Sequence, residues 1–175
     1  MLINFAAPDH GFKSNQVNFR LSGQAVPRPP VARNWRGLEG AGQILPFHQL
    51  SPYEPVDTQF SAWGLEFEGA IALYPSNPSF ATAFSDLVLM PVVSTITIKL
   101  LKPLHSASLQ LRGHHEIRLK ALDARGNPVP PTKTFHRRYT EASKAPQETI
   151  SLKLRRVRTL TLQSSSPFVL EAFSL

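Results

Sequence analysis

Trp35, Tyr53 and Trp63 each stand beside polar or turn-forming residues, in a stretch unusually dense in aromatic rings. Nine of the sixteen aromatic residues fall between Trp35 and Phe84. A ring exposed on a loop stacks on the apolar face of a sugar, while polar neighbours hydrogen-bond the hydroxyls around it. Asn34, Arg36, Gln59 and Asn77 are spaced to supply those polar contacts. The chemistry expected here is recognition of a glycan without bond breaking, with Trp35, Tyr53, Trp63, Asn34 and Arg36 as the binding set. The plainer reading is that these rings, the phenylalanines above all, form core beneath long loops.

Other reactive groupings are thin. His114 and His115 are adjacent, so in a strand they point to opposite faces and cannot share one metal ion. His136 precedes Arg137 and Arg138, whose charge opposes a cation. Asp9, Asp57 and Asp123 lie in no dense Asp/Asn/Gly loop of the kind calcium requires. No metal and no cofactor is therefore expected. The chain has no Gly-x-Ser-x-Gly elbow, no His-Glu-x-x-His and no phosphate-binding glycine loop. Glu66 and Glu68 share a strand face, but nothing singles out an acid–base pair from the twelve acids. With no cysteine there is no disulfide, thiolate zinc site or cysteine nucleophile. The chain reads as a non-enzyme.

Charge supplies a second candidate surface. The net charge is +7, yet residues 99–158 hold fourteen basic and four acidic side chains, so this third of the chain carries the whole excess. Period-two alternation turns Ile96, Ile98, Leu109, Leu111, Ile117, Leu119, Ile150 and Leu152 inward. It turns Lys99, Arg112, Arg118, Lys120, Lys153 and Arg155 outward. If their strands are neighbours in one sheet, these six make a basic docking face, which Arg137, Arg138, Arg156 and Arg158 extend. Such a face suits an anionic polysaccharide, a lipid head-group surface or an acidic protein complex. It lacks the aromatics that stack on single-stranded bases, and no recognition helix or zinc-finger spacing is present, which argues against nucleic acid. The plainer reading is a solvated face whose cations guard strand edges.

The elements that must position these residues are short. Sixteen prolines and no sustained helical period argue for strands. Strands are expected at 2–5, 16–22, 64–68, 70–74, 86–90, 94–101, 107–112, 116–122, 132–137, 149–154, 157–163 and 167–175. Pro27, Pro29 and Pro30 lead into an irregular stretch over 31–50, and short helices are conceivable at 80–86 and 141–145. Asp123 to Asn127 supplies hairpin chemistry, since Gly126 and Asn127 tolerate positive φ. Many short strands between turn residues predict an all-β fold, an antiparallel two-sheet sandwich of jelly-roll type, with 1–175 as one domain. No run approaches the ~20 apolar residues of a membrane span. No signal peptide is visible at the N-terminus, so the compartment is left open between cytoplasm and export with a removed leader.

The order of motifs adds a resemblance. Leu2-Ile-Asn-Phe5, Gly64-Leu-Glu-Phe67, Ala70-Ile-Ala-Leu73, Ala121-Leu-Asp-Ala-Arg-Gly-Asn127 and Val169-Leu-Glu-Ala-Phe-Ser-Leu175 together resemble bacterial exported β-sandwich domains. These are similar in build to galactose-binding-like and other carbohydrate-binding jelly rolls. The resemblance implies a sandwich with a carbohydrate ligand. It departs where such domains carry acidic residues: this chain has Ala6-Ala7 in the opening segment and only Glu171 in the closing one, which puts a calcium role in doubt.

Two functions follow as expectations. The first is a non-catalytic binding module that recognises a glycan or anionic surface through aromatic loops and a basic sheet face. The alternative is an accessory or linker subunit whose basic face docks on an acidic protein assembly, with peripheral membrane association.

Overall fold

Alternating apolar and polar residues over five to eight positions leave the backbone one way to bury its apolar half: as paired strands. The computed structural model describes residues 43–80, 87–135 and 144–175. Eleven strands follow within them: β1 (Pro55–Val56), β2 (Leu65–Glu68), β3 (Ala70–Leu73), β4 (Val88–Pro91), β5 (Thr95–Leu100), β6 (Ser106–Gly113), β7 (Ile117–Leu122), β8 (Pro128–Phe135), β9 (Gln147–Lys153), β10 (Thr159–Gln163) and β11 (Phe168–Ser174). They form a six-stranded sheet in the order β1-β3-β4-β11-β6-β9 and a five-stranded sheet in the order β2-β5-β10-β7-β8. Every pairing is antiparallel.

The last eight strands nest. β4 pairs with β11, β5 with β10, β6 with β9 and β7 with β8. A long hairpin folded over itself, with its pairs shared alternately between two sheets, is a jelly roll. β1 and β3 widen one sheet, and β2 widens the other.

The inner faces are those the alternation expects. Ile96, Ile98, Leu109, Leu111, Ile117, Leu119, Ile150 and Leu152 belong to one buried cluster. Each contributes roughly 1.5–3 kcal/mol by leaving water. A run of rings, Phe47, Phe60, Phe67 and Phe173, crosses the same core with centroid spacings of 5.7, 5.7 and 6.5 Å. These phenylalanines are core, as the plainer reading has it.

The six-stranded sheet is covered on its outer side too. Phe80, Val88, Ala145 and Val169 form a second buried cluster there, with Leu73 and Met90 against it. Consequently all seven residues of β11 are buried. One of them is charged: a register shift between Leu170 and Ala172 makes Glu171 the extra residue of a bulge. The Glu171 carboxylate accepts hydrogen bonds from Arg112 Nε and, at 2.7 Å, from Gln147 Nε2. Arg112 also donates to the Ala145 carbonyl at 2.9 Å. With side chains only 11% and 6% exposed, Arg112 and Glu171 are a buried pair tying β6, β9, β11 and the covering segment together.

Some boundaries differ from expectation. β8 begins at Pro128 and carries Pro130 and Pro131, because it is an edge strand whose missing amides need no partner. The two-residue β1 was not expected; it also starts on a proline at an edge. In the irregular stretch, Ile44 bridges Ser174 and Phe47–Gln49 forms a 3-10 turn. The expected helix at 80–86 meets a 3-10 turn ending at Phe80. Residues 81–86, most of 141–145, and the strands expected at 2–5 and 16–22 lie outside the described residues.

Two predictions test these constraints. Glu171→Leu leaves Arg112 buried without its counter-charge and should cost about 3–5 kcal/mol in denaturant unfolding, whereas Arg112→Met/Glu171→Leu together should cost less than the single change. Gly69 has φ +75 and a Cβ there would sit 2.8 Å from the Thr95 carbonyl oxygen, while Gly126, at φ +81, has open space. Gly69→Ala should therefore lower the melting temperature more than Gly126→Ala, which carries only the left-handed backbone cost of about 1 kcal/mol.

Candidate functional site

β1 and β3 bring two tyrosines to one corner. The Tyr53 amide donates to the Ala72 carbonyl at 2.7 Å, and the Ala72 amide to the Glu54 carbonyl at 2.9 Å, so the pairing of β1 with β3 continues back to Tyr53. Tyr74 lies two residues past Ala72, roughly 7 Å along an extended chain. Tyr53 is 73% exposed and Tyr74 52%.

The turn carrying Tyr53 is held rigidly by its own polar groups. The Ser51 amide donates to Glu54 Oε2 at 2.8 Å, and Gln59 Nε2 donates to Glu54 Oε1 at 2.8 Å. Gln59 Nε2 also reaches the Pro55 carbonyl, and the Asp57 amide donates to Gln59 Oε1. Within this frame Tyr53 has φ +65, a left-handed conformation costly for a residue with a Cβ. The surrounding bonds fix the backbone there, and the ring is exposed. The Gln59 amide, followed by the Ser51 amide, holds the Glu54 carboxyl below the usual carboxylate range.

Strand directions place more residues at this end of the sandwich. Leu73 pairs with Val88, at the start of β4, and Leu89 pairs with Leu170 in β11, so the β1–β3 corner lies toward the Ser174 end of β11. That end pairs with the start of β6, where Ser106 in turn faces Lys153. In the other sheet the same end holds Leu65, Leu100, Thr159 and Leu122. Three connections therefore gather here: 101–105, 123–127 and 154–158. Hydrogen bonds tie them together, from the Leu154 amide to the His105 carbonyl, from Arg158 to Leu122 and from Leu100 to Arg158.

Their side chains are mostly cationic. Lys102, His105, Arg125, Lys153, Arg155 and Arg156 are exposed and Arg158 half-buried. Arg156 has φ +65. Asp123 is the acid among these loops, and its Oδ1 accepts the Arg125 and Asn127 amides at 2.8 and 2.9 Å. These bonds, Asn127 first, hold its carboxyl below the usual range. The hairpin chemistry expected at Asp123–Asn127 is present.

The expected binding set is only partly assembled. Tyr53 is exposed and Gln59 stands beside it, but Trp63 is half-buried and packed against the core. It ends a 3-10 turn at Gly64, which has φ +84 and whose missing Cβ leaves room for the Lys102 side chain laid over it. Trp35, Asn34 and Arg36 lie outside the described residues. Asn77 caps the Pro78–Phe80 turn by accepting the Ser79 amide at 2.9 Å. Tyr74 ends an apolar strand and Lys102 sits in a strand-to-loop transition, so neither stands out by sequence pattern; the signal for Tyr74 is Pro75, which follows the end of β3.

The expected basic face is not a face. Lys99, Arg118 and Lys120 belong to the five-stranded sheet, and Arg112 and Lys153 to the six-stranded one. Arg112 is buried against Glu171 rather than offered to a partner. On the outer side of the five-stranded sheet, Lys99 pairs with Glu68 at 3.2 Å and Arg118 with Glu116 at 2.6 Å. That surface has mixed charge. Arg155 lies in the 154–158 loop, and Arg137 and Arg138 lie outside the described residues. Arg118 and Glu116 also line a cleft of about 350 Å³ at the opposite end, with Ser94, Gln163, Ser164 and Ser165.

Among the described residues no group of three His, Asp or Glu is placed to hold a metal, and no helix is long and apolar enough to cross a membrane. No protein-family model matches the sequence, and no curated protein is similar to it. Among solved structures the chain is similar to variants of a family 29 carbohydrate-binding module. A complex with cellulohexaose is 7% identical, with 77% of this chain and 91% of that one covered and a TM-score of 0.43. Another variant is 8% identical over 64% and 81% of the two chains, with a TM-score of 0.41. These values assign no family, so the function has to be read from this chain's own residues.

The Glu54 turn makes a pH prediction. A carboxyl lowered in the folded state stabilises the turn fully above its unfolded-state pKa and loses that contribution as pH falls through the lowered folded value. The protection factor of the Tyr53 amide, its exchange rate relative to the intrinsic rate at the same pH, should fall on acidification through and below the ordinary carboxylate range. In Glu54→Gln this acid-dependent component should vanish, as hydrogen-exchange NMR would show.

Proposed function

We propose that this chain is a non-catalytic binding module that takes a glycan at the loop end of its sandwich. One observation carries the reading: Tyr53 and Tyr74, both exposed, stand at one corner, and the backbone of one is held in a left-handed turn. A ring on a mobile loop loses backbone entropy when it binds, whereas a ring on a backbone already fixed avoids that part of the cost. The polar groups around Tyr53 have the chemistry for sugar hydroxyls, since Ser51 donates and accepts and Glu54 has lone pairs to spare. Trp63, half-buried against the core, contributes packing rather than a contact surface. Trp35, Asn34 and Arg36 are retained as further contacts.

The accessory-subunit reading loses its support once the six cations divide between two sheets and a loop. No feature of the described residues favours catalysis.

A glycan array spanning neutral and acidic polysaccharides tests the proposal. The intact protein should bind at least one class, and Tyr53→Ala and Tyr74→Ala should each weaken binding by about tenfold, in line with the 1–1.5 kcal/mol of a well-placed aromatic contact. Absence of binding to every glycan, or unchanged binding by the double variant, would sink it.

A further inference from the structure

Six of the fourteen cations of residues 99–158, Lys102, Arg125, Lys153, Arg155, Arg156 and Arg158, are gathered at one end by topology. Loop 101–105 crosses from the five-stranded to the six-stranded sheet, loop 154–158 crosses back, and 123–127 turns between β7 and β8. β5 and β7 flank β10, so Lys102 and Arg125 leave strands about 10 Å apart, and the sheets themselves are separated by about 10 Å. The cationic patch is thus too broad for a single small anion and wide enough for an extended chain.

Solubility does not require this arrangement. Like charges crowded together repel, and dispersing them keeps a protein soluble at lower cost. The one acid among these loops, Asp123, accepts the amides of its own hairpin and attracts Arg125, so it offsets one charge and leaves the patch strongly positive. Arg156 is held at φ +65 in the middle of it. Across the same end of the sandwich sits the tyrosine corner, and there the neighbouring charge has the opposite sign, because Glu54 directly follows Tyr53. A uniformly charged polyanion such as a nucleic acid would be attracted by the loops and repelled at the rings. A chain alternating acidic and neutral units meets both halves favourably.

We infer that the ligand is a linear acidic polysaccharide, its carboxylate- or sulfate-bearing sugars lying on Lys102, Arg125, Arg155, Arg156 and Arg158 and its neutral sugars on Tyr53 and Tyr74. The inference rests on the glycan reading given above and adds the ligand's charge, its alternation and the residues that select it.

Binding of the full chain to hyaluronan, alginate, chondroitin sulfate, hydroxyethyl cellulose and oligothymidylate, at low and high salt, tests it. At least one acidic polysaccharide should bind more tightly than the neutral cellulose derivative, and salt should weaken that binding steeply. Lys102→Gln/Arg125→Gln/Arg155→Gln changes three exposed side chains, so its melting temperature should stay near that of the parent. Its affinity for the acidic chain should fall about tenfold or more, with a flatter salt dependence. Tyr53→Ala should lower affinity with the salt dependence retained. Equal binding of neutral and acidic glycans, or an unaltered triple variant, overturns the acidic ligand and leaves the glycan reading standing. Binding of oligothymidylate with no glycan bound overturns both.

Discussion

A charged residue buried in the middle of a strand has to be answered, and in this protein the answer organises half the fold. β11 runs between β4 and β6 with both faces covered, so Glu171 has no water to solvate it. Arg112 from β6 and Gln147 from β9 supply the charge and the hydrogen bonds. The same guanidinium then captures the Ala145 carbonyl. An apolar replacement would bury as much area; the ion pair adds a geometric demand, because only one register of β6, β9 and β11 satisfies it. The bulge that turns Glu171 outward also lets Leu170 and Phe173 both face the core.

With that sheet fixed, the loop end follows from the nested topology. A jelly roll places alternate connections at opposite ends, so residues far apart in sequence arrive together. Tyr53 and Arg156 come from halves of the chain with opposite charge character, and strand pairing sets them at one end. The ends differ in kind: one has cationic loops and exposed rings, the other a polar cleft with an ion pair at its wall.

Much of this was legible in the sequence. Alternation in β5, β6, β7 and β9 gives the inner face residue by residue, because period-two burial is a local property. The Asp123–Asn127 hairpin is local as well. Sheet membership is not. Lys99 and Arg112 read alike, each following an apolar residue and pointing away from it, yet one is exposed beside Glu68 and the other buried beside Glu171. The difference lies in a second layer contributed by Phe80 and Ala145, distant in sequence and invisible to any pattern within β6. Tyr53 was readable as a loop ring, but its left-handed backbone depends on Ala72, Gln59 and Ser51 acting together. Trp63 misled for the converse reason: a tryptophan before glycine looks exposed, while the 3-10 turn it ends folds it onto the core.

The nesting has a consequence for how the chain comes into being. β4 forms early in synthesis but meets its sheet partner β11 only after some eighty residues have followed it, and β6 waits for the same strand. Until β11 emerges, both present unpaired backbone amides and carbonyls beside Leu89, Leu109 and Leu111, the kind of edge that recruits a second copy. The strand that closes the sandwich is therefore also what protects the nascent protein from itself, and loss of its last few residues would damage solubility first of all.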